Sequence, residues 1–121
     1  MDIATSTRRS ELPEPIARAL QAVREEDWDS LAEVLHPDVV WHLMGTPGFS
    51  MRGRDNYLWR VRMGGVGCRR PGRVLRSQET CNGKHILELE DTTGLRVLDI
   101  MRLEDGRIRE EWQLVLGTPE T

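Results

Sequence analysis

The chain has 121 residues, 38% of them hydrophobic and 31% charged, with a net charge of −3 at neutral pH. That length fits one domain, the composition excludes a disordered chain, and a domain this size needs no staple; Cys68 and Cys81 match neither a metal motif nor a disulfide framework. No apolar run nears the roughly 20 residues of a membrane span and the N-terminus lacks a secretory signal, so the expectation is a cytoplasmic protein with no membrane partner, whose net charge of −3 opposes general nucleic-acid binding.

Residues 1–10 are polar and aperiodic and read as a flexible tail, leaving 11–118 as a single domain. From Glu14 the pattern turns helical: Ile16, Ala19, Leu20 and Val23 fall on one face, with Pro13 and Pro15 tolerated at the helix start. A second short helix follows Asp27, a plausible N-cap, with Leu31, Val34 and Leu35 as its buried stripe. His36-Pro37-Asp38 is expected to end it. Val39 to Met44 reads as a strand, and Gly45 to Gly48 as a turn. A third helix is expected from about Arg54 to Met63, stopped by the glycines that follow. Four strands then run Arg73–Cys81, His85–Glu90, Leu95–Leu103 and Ile108–Leu116. Asn82-Gly83 and Asp105-Gly106 are tight hairpin signals, and Asp91 to Gly94 is a third turn. Helices segregated from an antiparallel meander define an α+β fold.

Strand residues alternate between faces. Leu95, Val97, Asp99, Met101 and Leu103 share one, so Asp99 sits in an apolar row. A carboxylate there is costly unless paired, hydrogen-bonded or protonated. Pairing across the Asp91–Gly94 turn sets Leu87 and Leu89 beside that row. In the last strand Arg109, Glu111, Gln113 and Val115 share a face. Two readings of Asp99 stand: a protonated acid in an apolar pocket, able to donate a hydrogen bond to an oxyanion, or a structural ion pair with an arginine.

The stretch from Arg96 to Ile108, RVLDIMRLEDGRI, resembles the signature hairpin of ketosteroid isomerases and their relatives, the SnoaL-like polyketide cyclases and the nuclear-transport-factor-like superfamily. Glu26 to Leu31, Leu35 to His42 and Gly53-Arg54-Asp55 complete the pattern over residues 14–116. The resemblance implies a cone: a curved antiparallel sheet wrapped around a pocket that about three helices close. It also implies a homodimer through the outer sheet surface and a small apolar ligand. In ketosteroid isomerase a carboxylate base works with a tyrosine and a protonated aspartic acid. Asp99 falls at that aspartic acid. The tyrosine's position is Ala19, which cannot serve. The base position gives Leu43 without a gap, or His42 with one. SnoaL-type cyclases and limonene-epoxide hydrolases place an aspartate on the last strand, where this chain has Gln113.

The candidate catalytic residues are therefore Asp99, with His42 or His85 as base. Strict alternation turns His42 away if Trp41 and Leu43 face the pocket, and His85 is expected at the rim. Candidate ligand-binding residues are Gln113, Glu111, Trp41, Leu43, Tyr57, Leu87, Leu89, Val97, Met101 and Val115. Glu111 beside Asp99 would make two carboxyls compete for ionisation; its alternative partners are Arg109 and Arg96. Tyr57, the sole tyrosine, either packs or replaces the missing phenol. The three histidines lack metal-ligand spacing, so neither metal nor cofactor is expected. Eight arginines lie between Arg52 and Arg76, read as a solvated face, as a nucleic-acid surface, or as a grip for an anionic substrate. Two functions follow: a cofactor-independent acid–base enzyme (isomerase, cyclase or dehydratase) acting on an apolar ketone or polyketide-like molecule, or a non-catalytic ligand-binding or dimerisation module.

Overall fold

A computed structural model of the protein describes residues 12–45, 47–64 and 71–118. The 1–10 tail, Thr46, Gly65 to Gly67, Cys68, Arg69 and Arg70 lie outside the described residues. Three helices, α1 (Glu14–Glu25), α2 (Trp28–Val34) and α3 (Arg54–Met63), accompany six strands. The strands are β1 (Leu35–Leu43), β2 (Phe49–Arg52), β3 (Pro71–Glu79), β4 (Lys84–Asp91), β5 (Arg96–Glu104) and β6 (Arg107–Gly117). They form one curved, unclosed sheet in the order β2-β1-β6-β5-β4-β3. The α+β architecture is the expected one, with one parallel junction, β1 against β6, in an otherwise antiparallel sheet.

Local chemistry accounts for most boundaries. Pro15 sits in the first turn of α1, where a missing N–H costs no hydrogen bond, and Glu26 ends the helix in the left-handed region at φ 57°. Asp27 caps α2 by accepting from the Ser30 backbone N–H at 3.2 Å. Helix α2 stops at Val34, one residue earlier than its stripe suggests, and His36-Pro37-Asp38 lies inside β1 instead of separating helix from strand. The residue before a proline favours extended backbone, and Pro37 has no N–H to give the ladder. Pairing with β6 accordingly jumps from Leu35↔Ile108 to Val40↔Glu110. No period in the sequence marks β2, four mostly exposed residues recruited as an edge by β1. In the meander, β3 starts and ends two residues earlier than expected, while β4 and β6 each extend a residue at both ends. The β5–β6 turn places both Asp105 (φ 55°) and Gly106 (φ 74°) in the left-handed region, as a two-residue type I′ hairpin requires.

Alternation then sorts the sheet. His85, Leu87, Leu89, Val97, Asp99, Met101, Glu111 and Gln113 are buried on the face that receives the helices. Ile16, Leu31, Leu35, Leu87 and Ile108 are fully buried in the core beneath α1 and α2. Helix α3 buries none of its residues completely; Tyr57, Leu58 and Val61 pack part-buried against the edge of that core. Among the described residues no helix is long and apolar enough to cross a membrane.

Candidate active site

The register builds the site. Antiparallel pairing sets Asp99 opposite Gln113, and Met101 opposite Glu111, on β5 and β6, while Leu87 of β4 flanks Asp99 on its other side. Asp99 and Glu111 are thus diagonal neighbours on one face, close enough to interact. Above them the concave side holds a cavity that opens to solvent. Ala19, Leu20 and Val23 of α1, Leu31, Trp41, Met51, Val61, Leu89, Val97 and Met101 supply apolar wall. Tyr57, Arg60, Asp91, Asp99, Glu111 and Gln113 supply the polar groups.

Asp99 and Glu111 are each 3% exposed and Gln113 is 5% exposed. Burial raises the Asp99 carboxyl well above the usual carboxylate range; the neighbouring Glu111 charge and a hydrogen bond to Glu111 add to this, against a smaller lowering by Gln113. Burial also raises Glu111, opposed by hydrogen bonds from Tyr57 and Asp99. The Tyr57 hydroxyl donates to Glu111 Oε1 at 2.5 Å. Two carboxyls this close cannot both ionise, so the pair holds one proton, chiefly on Asp99, with Glu111 as the charge that accepts from both neighbours. Asp99 Oδ1 and Gln113 Oε1 are buried without a hydrogen-bond partner among the described residues.

The structure brings Asp99, Glu111, Gln113, Trp41, Tyr57, Leu89, Val97 and Met101 together around the cavity. It keeps five expected residues out of the lining. His42 lies on the opposite sheet face from Trp41, as alternation demands: Nε2 is 2.7 Å from Glu110, Nδ1 is 2.6 Å from the Ser50 hydroxyl, and the ring stacks on Trp112. His85 is on the concave side near the β3–β4 turn, 2.8 Å from the Ser77 hydroxyl, and burial lowers its pKa against the opposing charge of Glu79. Neither histidine, expected as the base, is among the residues that line the cavity. Leu87 is spent in the core under the helices, and Leu43 and Val115, near the strand ends, fall outside the lining.

The arginine partners foreseen for the acids are engaged elsewhere. Arg109 donates to the Asp38 carbonyl, and Arg96 lies 3.9 Å from Glu90. Among the described residues no arginine pairs with Asp99. Of the arginine-rich stretch, Arg73 and Arg76 pair across strands with Glu90 and Glu88, while Arg60 turns into the cavity wall. Sequence reasoning missed Arg60, Met51, Leu95 and Asp91 as lining residues. Asp91 had a legible signal as a turn former: its Oδ1 accepts from the Thr93 and Leu95 backbone N–H groups and the Thr93 hydroxyl. Arg60 had none, being one of many arginines. Away from the cavity, His36, Glu104 and Asp105 bring ligand atoms within 4.8 Å of one another; Glu104 and Asp105 are exposed and this spacing is common on surfaces without an ion.

A curved sheet whose concave face is covered by helices defines an α+β class with solved relatives. Residues 16–111 match the model of the SnoaL-like domain, and the chain belongs to that family. Its structure is similar to that of an NTF-2-like protein of unknown function from Burkholderia xenovorans LB400, at 22% identity and TM-score 0.72, covering 95% of this chain and 89% of that one. A candidate polyketide cyclase from Sinorhizobium meliloti is 20% identical with TM-score 0.71, covering 87% of this chain and 97% of that one. A candidate ketosteroid isomerase from Kribbella flavida is 18% identical with TM-score 0.69, covering 97% and 83%. These likenesses establish the fold. A comparison with curated proteins finds no match.

Proposed function

We propose that the protein is a cofactor-independent acid–base enzyme acting on a small, mostly apolar carbonyl compound held in this cavity. The observation that carries the reading is the buried Asp99–Glu111 pair facing an apolar cavity, with Tyr57 bonded to it. Asp99, kept neutral by burial, swings its single O–H from Glu111 to the ligand's carbonyl oxygen when the ligand binds. Glu111, the charged partner, accepts the proton from the adjacent carbon. The C–H electron pair moves into a C=C bond and the negative charge goes to the oxygen facing Asp99. Returning the proton to the same carbon, or another, gives exchange or isomerisation; bond formation from the enolate gives cyclisation. Structural neighbours named as cyclase and isomerase support the class of chemistry without fixing it.

The test is hydrogen–deuterium exchange followed by NMR, in heavy water, with a panel of monocyclic and flat polycyclic ketones. We expect exchange at an α-carbon with the wild-type protein and its loss, by a factor of at least about 100, in Asp99→Asn and Glu111→Gln. Exchange that persists in both variants removes the pair from the mechanism. A second reading, a binding module of the same fold, is favoured by one feature: Gln113 stands where the family resemblance places an aspartate, and an amide cannot act as base. That reading predicts a ligand retained by the purified protein and no exchange with any ketone.

The reading extends to a second copy of the chain. The face opposite the cavity exposes Leu114 and Leu116, next to half-buried Leu98 and Ile100, an apolar sheet surface suited to self-association.

A further inference from the structure

Arg60 is the one lysine or arginine among the described residues that lines the cavity. Its guanidinium carbon lies 5.6 Å from the Trp41 ring centre and 5.1 Å from that of Phe49, and those two rings meet edge to face at 5.5 Å. Such contacts engage the charge but none of the N–H donors. Arg60 Nε is buried without a hydrogen-bond partner, and no carboxylate pairs with Arg60 among the described residues. Burying Nε in an apolar wall without an acceptor is costly, while the arginine as a whole stays part-exposed. The neighbouring Glu111 is already bonded by Tyr57, one turn earlier on the same helix face. The cavity thus has an anionic acid pair on its floor and a separate, unpaired cation in its wall.

We infer that the ligand is itself an anion: an apolar molecule carrying a carboxylate that the Arg60 fork grips, with its carbonyl oxygen turned to Asp99 and Gln113. The inference rests on the acid–base reading for the carbonyl end alone; the carboxylate end stands on Arg60. A carboxylate matches the planar donor pairs of a guanidinium, which a ring cannot satisfy. Trp41 and Phe49 hold the arginine in place, so little side-chain freedom is lost when the anion arrives. An oxo acid offers a group to each of these polar sites, whereas a neutral ketone leaves Arg60 Nε without an acceptor.

The probes are 2-naphthylacetate and its neutral amide, 2-naphthylacetamide, which share one apolar body. Their dissociation constants are measured by calorimetry at neutral pH for wild type, Arg60→Gln and Arg60→Lys, each first shown by near-ultraviolet circular dichroism to be folded. Wild type is expected to bind the acid at least about tenfold more tightly than the amide. Arg60→Gln should bring that ratio to within about twofold, and Arg60→Lys should keep part of it. Equal binding of the two probes by wild type, a preference for the acid that survives in Arg60→Gln, or no binding of either probe overturns the inference. Its failure is distinct from that of the acid–base reading: exchange of neutral ketones with no preference for the acid removes the carboxylate alone. Preference for the acid without exchange in any ketone or oxo acid removes the chemistry and keeps the ligand class.

Discussion

Asp99 is the residue on which most of the chemistry turns, and its proton has a measurable consequence for stability. In the unfolded chain an aspartate ionises near pH 4. In the folded chain burial and Glu111 hold the proton to higher pH. Between those two values the folded state binds more protons than the unfolded one, so stability is fullest below about pH 4 and declines as pH rises through the window. Glu111, also raised, contributes in the same direction. Urea midpoints measured from pH 4 to 8 should therefore fall less steeply for Asp99→Asn than for wild type. Equal slopes would mean that another group carries the titration. Activity should depend on the same pair: one proton on it is active, none or two inactive, so the exchange rate should follow a bell in pH.

At the scale of elements, α3 is the unusual one. It contributes little apolar surface to the core, yet it delivers Tyr57 and Arg60 to the cavity from adjacent turns. Tyr57→Phe keeps the ring and removes the hydrogen bond to the Glu111 carboxylate, a change expected to cost about 1.5–3 kcal/mol in a urea titration. Because that bond holds Glu111 down, its loss should also move the acid limb of the exchange-rate profile to higher pH. A mere packing role for the ring would leave the profile in place. The end of α3 was legible from the glycines that follow it, and the meander from its alternation and Asn-Gly and Asp-Gly turns. Strand β2 was not legible, since four mostly exposed residues carry no period. The early start of β1 was hidden as well, because His36-Pro37 reads as a break until β6 is present to pair with Leu35.

For the molecule as a whole, the sheet has one face committed to the helices and cavity and another that shows Leu114 at 38% and Leu116 at 48% exposure. If a second copy covers that face, light scattering should give twice the monomer mass, and Leu114→Glu should shift the protein toward monomer without loss of helix or strand signal. A monomeric wild type at tens of micromolar removes the dimer. The sheet's outer charges are largely paired within the chain, His42 with Glu110 and Arg102 with Glu110 and Glu104, which leaves the leucines as the uncompensated feature of that surface.

Local rules in the sequence determined the helices, the hairpins and the face of each residue: a period of two put Asp99 among apolar neighbours and turned His42 away from Trp41. Those rules act over a few residues, and the sequence carries them openly. The Asp105-Gly106 hairpin already set Glu111 beside Asp99, whereas the Tyr57 hydroxyl on that pair and the arrival of Arg60 in the cavity wall depend on where α3 comes to rest. Sequence separations of 54 residues for Tyr57 and Glu111 and the parallel β1–β6 junction leave no local trace. Only the assembled sheet and helices, which bring distant segments to one cavity, decided which phenol would meet the acid pair and which cation would stand in the wall beside it.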